Sequence, residues 1–436
     1  MLICLLAIVH GEFRASWADD APKESAASGN PAGTGTEPGT EPGSESAKEP
    51  VRPTVSGWHS WRFNQFSSYD QLRINLEREY AKGQKALVSL NGLYYQEDNN
   101  KSWSAYVGES YYKFKVKKFD FKLGNLVETL GSGDKISWVD KINSRRYHNG
   151  LANDYNRDKK EVPAVKTTYN INKRMTLDLH YLPIFQAGDM PSIYSKWATE
   201  FQQYLAKAIF FGANLVREKD TRIREQYHVA FNGIFRRYEL RYHYFRLKER
   251  IPLIEAISGN LFRWSYPLEE TFAVDGNRAL KKDFLMRFEA AYTRDKTYSG
   301  FSNGRIGYHF RSDQYNLLLG TDKTFKRGVY LNIQGLLSFI TDMKAPTPLQ
   351  IFPTEALTAF QLRKGFRSET IFIELNGVEN LTTGEYILTP QISIQKTDYL
   401  KMVGGVHLNG KSSEHFGPIG QFDKNNTSFF ETYVIF

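Results

Sequence analysis

A chain of 436 residues is long enough for two or three ordinary domains or for one large barrel. Aromatic residues make up 14% of it, yet no stretch beyond the N-terminus approaches the roughly 18 apolar residues of a membrane-spanning helix, which excludes helical spans there. The net charge is +9 and the bases are spread along the chain, which argues against a nucleic-acid partner.

The N-terminus predicts a secretory signal peptide over residues 1–18. Residues 2–9 form a short apolar run, and Ser16-Trp17-Ala18 offers a small-x-small cleavage site before Asp19. Residues 19–56 follow as a Gly/Pro/Glu/Ser-rich linker with a tandem repeat at 36–43. The linker has too few large apolar residues for their burial to offset the entropy lost on ordering the chain. It is therefore predicted to be disordered. Residues 57–436 remain for the folded domain.

From residue 58 onward, apolar and polar residues alternate in run after run. Met286, Phe288 and Tyr292, for example, alternate with Arg287 and Glu289. A period of two predicts strands with one apolar face and one polar face. In a membrane barrel the polar face lines the lumen. Nine charged residues or histidines of the polar face could either line the lumen or form ion pairs between strands. They are Arg73, Glu77, Asp178, His180, Arg241, His243, Arg287, Glu289 and Glu374.

The connections between these strands alternate in length. Counting back from the C-terminus, tight polar turns are predicted near 396–398, 364–367, 326–328, 280–283, 236–238 and 172–174. Most of the intervening connections are long, near 409–426, 342–354, 295–312, 249–266, 185–225 and 131–162. One rim of short turns and one of long loops is typical of outer-membrane barrels. The sequence therefore predicts an all-β, antiparallel up-and-down transmembrane barrel of about 18 strands, with 16 as the alternative, short periplasmic turns and long extracellular loops.

The connection at 131–162 is the most informative for function, because it is long and densely charged. A barrel of this width needs an inward-folded loop to narrow its lumen, and charges on that loop would select solutes. The candidate residues of such a constriction are Asp134, Asp140, Arg145, Arg146, Arg157, Lys159 and Lys160. The alternative is an outward loop that binds lipopolysaccharide phosphates.

Enzymatic and metal sites were sought among the histidines. His415 lies near Ser412 and Ser413, and residues 147–150 include a second histidine, but neither has the His-x-Ser-Asn-Gly arrangement of outer-membrane phospholipases. The spacing of histidines and acids predicts no metal site, and no cofactor is expected. The sequence therefore favours a protein that is not an enzyme.

The chain ends in an aromatic strand. Phe430, Val434 and the terminal Phe436 fall on one face of it. This ending resembles the C-terminal signature of Gram-negative outer-membrane barrels. The resemblance implies recognition by the barrel-assembly machinery and insertion into the outer membrane.

A second resemblance rests on the region around the long loop. Five segments are similar to the proteobacterial outer-membrane barrels called domain of unknown function 1302, which are related in kind to alginate-export-type porins. They are Lys122-Leu123-Gly124, the loop segments 131–134 and 138–143, and the hairpins at 228–247 and 284–292. The likeness covers roughly residues 57–436. It implies a passage for a solute or a lipid-like molecule.

These observations predict a porin for diffusion of a small solute, with an anionic solute favoured by the bases of the long loop. One alternative is a barrel that moves hydrophobic or lipid-like molecules, and another is a surface receptor or adhesin with a plugged lumen. The expected partners are outer-membrane lipid, lipopolysaccharide, the barrel-assembly machinery and an unidentified solute.

Overall fold

The structure is a computed structural model. It describes residues 52–435 except for 63–66, 82, 98–99, 135, 147–157, 192–194, 196–197, 200–201, 203–206, 208, 211–212, 218–225, 237, 259–260, 281–283, 303–304, 344–351 and 412–418. The predicted signal peptide, the linker up to residue 51, Arg157 and Phe436 lie outside the described residues. Within the described part, no helix is long and apolar enough to cross a membrane.

The described part of the chain contains 22 strands. Those of the first half are β1 (Arg52–Arg62), β2 (Ser67–Ala81), β3 (Gln84–Glu97), β4 (Asn100–Val107), β5 (Ser110–Val116), β6 (Phe119–Leu126), β7 (Val162–Asn172), β8 (Met175–Leu182), β9 (Asn214–Arg217), β10 (Gln226–Phe235) and β11 (Tyr238–Lys248). Those of the second half are β12 (Leu253–Ser258), β13 (Leu261–Ser265), β14 (Leu268–Ala279), β15 (Phe284–Ser302), β16 (Arg305–Phe325), β17 (Val329–Ile340), β18 (Thr354–Phe366), β19 (Ile371–Asn380), β20 (Glu385–Thr397), β21 (Leu400–Gly410) and β22 (Thr427–Ile435).

Nineteen of these segments form one sheet that closes on itself. Every neighbouring pair is antiparallel, and β1 pairs with β22 from Ser56 opposite Ile435 to Arg62 opposite Phe429. β4 and β5 both pair with β3 and are two halves of one barrel strand. The barrel therefore has 18 strands, as the sequence predicted. The three remaining segments, β9, β12 and β13, form a small separate sheet within the connections.

The barrel is apolar on its outer face and polar on its inner face, the reverse of a water-soluble β-protein. On β17, Ile333 and Leu337 are 45% and 41% exposed, whereas Asn332 and Gln334, the neighbours of Ile333 in the chain, are fully buried. The same inversion recurs on β16, where Leu317 and Leu319 are exposed. An apolar outer face is what a bilayer requires, because only alternate residues of each strand meet lipid. The outer face is therefore the lipid-facing one.

Two boundaries differ from the sequence-based prediction. β1 begins at Arg52, five residues before the predicted start of the barrel, because residues 52–56 pair with β2 from Arg52 opposite Glu77 onward. The predicted long connection at 295–312 is mostly a hairpin, in which β15 and β16 continue past a bulge near Thr293 and Lys296. Backbone pairing with a neighbour stabilises both segments, and local composition does not reveal it.

Candidate functional site: an inward loop on the barrel wall

The described residues of the connection between β6 and β7, namely 127–134, 136–146 and 158–161, lie inside the barrel. Their anchor is Glu289 on β15, which is 1% exposed and occupies the face opposite the exposed Met286. The Glu289 carboxylate accepts hydrogen bonds from the backbone N–H groups of Ser132, Gly133 and Trp138, each at 2.8 Å, and from the Ser137 hydroxyl at 2.9 Å. We call these described residues the inward loop.

A glycine at position 131 permits this close approach. Gly131 has a φ of +83°, which favours glycine. A Cβ built there would lie 2.4 Å from Glu289 Oε1 and 2.3 Å from Ser137 Oγ, so any side chain would displace the anchor. The loop backbone thus wraps closely around the carboxylate.

Neighbouring wall residues extend the contact with the loop tip. Arg287 on β15 donates to the Ser132 carbonyl at 3.0 Å and to Asp134 at 2.7 Å, and it also pairs with Asp322 on β16 at 3.0 Å. Asn332 on β17 donates to the other Asp134 oxygen at 2.9 Å. The loop, which leaves the wall at β6, therefore reaches as far as β17.

Arg241 on β11 holds the loop at a further point. Its guanidinium donates to the Gly131 carbonyl at 2.9 Å and to Asp275 on β14. Arg241 and Asp275 are direct cross-strand partners. This pair therefore links the wall to the same turn of the loop that surrounds Glu289.

An apolar core lies between the loop and the wall. Val139 and Ile142 of the loop are fully buried against Phe245 and Leu247 of β11, with Trp138 packed alongside. Full burial of one such aliphatic side chain contributes about 1.5–3 kcal/mol. This packing, which alternation of polarity does not predict, stabilises the inward position of the loop.

A cavity of about 140 Å³ lies between the loop and β11 and β14, and Phe245 and Leu247 of this core form part of its lining. At its edge Lys141 donates to Thr271 at 2.8 Å, and Arg250 donates to the carbonyls of Ile142 and Gln186 at 3.0 and 3.2 Å. The cavity is therefore lined by fixed charged groups on both walls.

The base of the loop is closed by Asn143 and Glu128. The Asn143 side chain accepts from Glu128 N at 2.8 Å and donates to the carbonyls of Leu126 and Lys160 at 2.9 and 2.7 Å. Glu128 also contacts Lys166 at 2.8 Å and His180 at 3.6 Å. Burial disfavours ionisation of Glu128, but a proton donated by His180 and the charge of Lys166 together outweigh burial and hold the pKa of that carboxyl well below its usual range.

The candidate bases of the loop are paired with acids. Lys159 and Arg145 contact Asp140 at 2.7 and 3.4 Å, and Arg146 contacts Glu161 at 2.9 Å. Lys160 contacts Asp189 at 2.6 Å. Burial lowers the pKa of Lys159 despite the nearby Asp140. These bases therefore stabilise the loop itself, and their role in selecting solutes stays a prediction.

The nine predicted wall residues all lie on the polar inner face. Arg241, Arg287, Glu289 and, through Glu128, His180 contact the inward loop. The others contact wall neighbours instead, as in the pairs Arg73–Asn91, Glu77–Lys85, Asp178–Asn232, His243–Asp275 and Glu374–Gln361. Sequence reasoning missed Glu128, Asn143, Asp275 and Asn332. The signal that could have found Asp275 and Asn332 is the alternation along their strands, which puts both on the polar face.

No family model and no curated protein matches this chain. The resemblance to domain of unknown function 1302 therefore stays a prediction. Among solved structures, OccAB3 of Acinetobacter baumannii matches with a TM-score of 0.50 at 10% identity, over 88% of this chain and 98% of that one. OccK11 (OpdR) of Pseudomonas aeruginosa matches with a TM-score of 0.48 at 10% identity, over 88% and 94%. At this identity the likeness to OccAB3 shows the fold alone, a closed antiparallel β-barrel of 18 strands.

Proposed function

We propose that this protein is a channel through which small polar solutes diffuse across the outer membrane, and that it performs no covalent chemistry. The observation that carries the proposal is the combination of a polar inner wall with a loop fixed against one side of it by Glu289. A barrel of this width encloses an aqueous lumen unless something fills it, and a wall-bound loop narrows a lumen without requiring a separate plug. The barrel-assembly machinery and lipopolysaccharide are the partners we propose for insertion and for the outer surface.

The polar wall also weighs against a passage for lipid-like molecules. Asn332, Gln334 and Thr293 of the inner face are buried polar groups, and Glu289 and Arg287 beside them are charged. An apolar solute would also have to pass the half-buried polar groups of the inner face, such as Arg73, Glu77 and Glu374, and displace their water, which is costly. We therefore propose hydrophilic solutes.

A permeation assay distinguishes the three candidate functions, namely a solute channel, a barrel that moves lipid-like molecules and a plugged receptor. Purified protein in liposomes of phosphatidylcholine should admit small neutral sugars, measured by osmotic swelling, and the rate should fall as the sugar becomes larger. Heat-denatured protein is the control. Exclusion of sugars together with transfer of a labelled fatty acid would favour the lipid-moving barrel, and exclusion of both would favour the plugged receptor.

The charge preference of the channel depends on which loop charges stay unpaired. Because Arg145, Arg146, Lys159 and Lys160 all contact carboxylates, the loop presents less positive charge than its sequence suggests. We therefore propose a modest preference for anions that vanishes at about 1 M salt, where the screening length is about 3 Å. The reversal potential under a salt gradient measures it. A strong preference for cations would contradict the proposal.

A further inference from the structure

Three histidines form a continuous row on the inner wall beneath the loop. His180 on β8, His228 on β10 and His243 on β11 are 0%, 0% and 5% exposed. His180 Nδ1 lies 3.0 Å from His228 Nδ1, and His228 Nε2 lies 2.9 Å from His243 Nδ1. We call these three side chains the histidine row.

A carboxylate stands at each end of the row. His243 Nε2 lies 2.6 Å from Asp275 Oδ2 on the wall, and His180 Nε2 lies 3.6 Å from Glu128 Oε2 at the base of the inward loop. Phe245 stacks on His228 with ring centroids 4.3 Å apart and covers the middle of the row. The row therefore connects the loop to the wall through four successive polar contacts.

The protons of the row can be counted. A carboxylate only accepts, so His243 must donate from Nε2 to Asp275. In a neutral ring His243 Nδ1 then accepts from His228 Nε2, and His228 Nδ1 accepts from His180 Nδ1. Three neutral imidazoles thus supply three protons for four contacts.

The contact that lacks a proton is the one with the loop. His180 Nε2 would be a bare acceptor facing the ionised Glu128, and it is buried without a hydrogen-bond partner among the described residues. One added proton would fill this position and complete all four contacts. It would also place a single positive charge on the row between two carboxylates.

We propose that the histidine row is a binding site for one proton, which it takes up as a unit, and that this proton fastens the base of the inward loop to the wall. Glu128 transmits the effect, because its backbone N–H donates to Asn143 and its carbonyl accepts from Lys159. The protonated state is the more tightly anchored one, so the anchoring is present at low pH and lost as pH rises through the titration of the row.

Other charges face the row from each neighbouring strand. Lys122 on β6 and Lys166 on β7 contact Glu128, and Lys166 is the cross-strand partner of His180. Asp178 lies two residues from His180 on the same face of β8. At the other end, Arg241 and Glu289 are the cross-strand partners of Asp275. Lys159 of the loop also reaches the Glu128 carbonyl and pairs with Asp140, and Glu109 pairs with Lys122. The charge of an added proton on the row would be compensated by the carboxylates at its two ends, Asp275 and Glu128.

The test is a titration of the ring nitrogens of ¹⁵N-histidine-labelled protein in phosphatidylcholine nanodiscs, between about pH 5 and about pH 8, the range in which histidine changes charge. We expect the three rings to shift in one shared step that amounts to a single proton. Three separate steps of a full proton each, or no step at all, would overturn the proposal.

Glu128→Gln is the decisive variant, because its amide can donate a permanent N–H to His180 Nε2. The fourth contact then needs no added proton, and the shared step should be lost from this pH range. His407→Gln is the matched control, since His407 is buried on the opposite wall against Phe429 and Thr389 and should leave the step unchanged. A step that persists unaltered in Glu128→Gln would overturn the proposal, and heat-modifiable gel migration checks that both variants are folded.

An electrical consequence rests on the proposed channel function. In planar bilayers, brief closures of the wild-type channel should become more frequent as pH rises from about 5 to about 8, whereas Glu128→Gln should show no such change. Equal pH dependence in both proteins would contradict the role of the row in anchoring the loop. Absence of any current would contradict the channel function and leave the ring titration as an independent result.

Discussion

At the scale of single residues, one carboxylate organises the site. Glu289 accepts hydrogen bonds from four groups of the inward loop, three of them backbone N–H groups. Buried backbone donors are costly when they lose their acceptor, so the position of the loop depends on this side chain. Its neighbours Arg287 and Arg241 add contacts on either side.

Replacement of Glu289 should release the loop. Glu289→Ala orphans buried donors at about 1–3 kcal/mol each, so the free energy of unfolding in guanidinium should fall by several kcal/mol. Glu289→Gln should lose less, because its amide oxygen still accepts.

Glu374→Ala is the matched control for this change. Glu374 is also a carboxylate of the inner face, but among the residues that the structure describes its hydrogen-bond donors are Gln361 and Asn376 of the wall. We expect a loss of about 1 kcal/mol or less there. Equal losses at Glu289 and Glu374 would show that the loop does not depend on its anchor.

At the scale of strands, the lipid-facing stripe defines which side of the sheet is the outside. Leu319 on β16 is 67% exposed, whereas Leu318 beside it is 1% exposed and lies near Gly133 of the loop. Two adjacent leucines therefore meet different surroundings, lipid on one side and the loop on the other. Alternation within β16 predicts that the two differ, but only the pairing of β15, β16 and β17 shows which one faces out.

A charge on the lipid face should destabilise the barrel. Leu319→Arg is expected to lower the free energy of unfolding in lipid vesicles by about 2–4 kcal/mol if the residue lies near the midplane. Leu319→Met keeps an apolar side chain of similar volume and should change it by less than about 1.5 kcal/mol. Equal stability of the two variants would place this stripe in contact with water.

The last strand carries the predicted insertion signal. On β22, Phe430 and Val434 lie on the face opposite the buried Phe429, and the strand is paired on both sides, with β1 and β21. Deletion of Phe436 should remove the terminal aromatic of the signal and leave the chain in the periplasm, measured by membrane fractionation. A truncated protein that reaches the outer membrane at the wild-type level would refute this role of Phe436.

At the scale of the whole molecule, the sequence predicted the barrel better than the site. Alternation such as that of Met286 to Tyr292 is local, and the parity of loop lengths adds up along the chain, so the class of fold and the number of about 18 strands could be predicted from the sequence. The contacts of Glu289 with residues 132–138 join positions about 150 apart along the chain. Such distant pairings, like the row from Glu128 to Asp275, are set by closure of the sheet and leave no local signal.

In the channel that we propose, the inward loop narrows an otherwise open aqueous lumen. The most direct measurement is single-channel conductance in planar bilayers, comparing the wild type with a variant in which residues 131–160 are replaced by a short Gly-Ser linker. Since a barrel of 18 strands leaves an aqueous channel when nothing fills it, the shortened variant should conduct about twofold more or better. Heat-modifiable migration of both proteins confirms folded barrels. An unchanged conductance would place the loop outside the conduction path and contradict its role in narrowing the lumen.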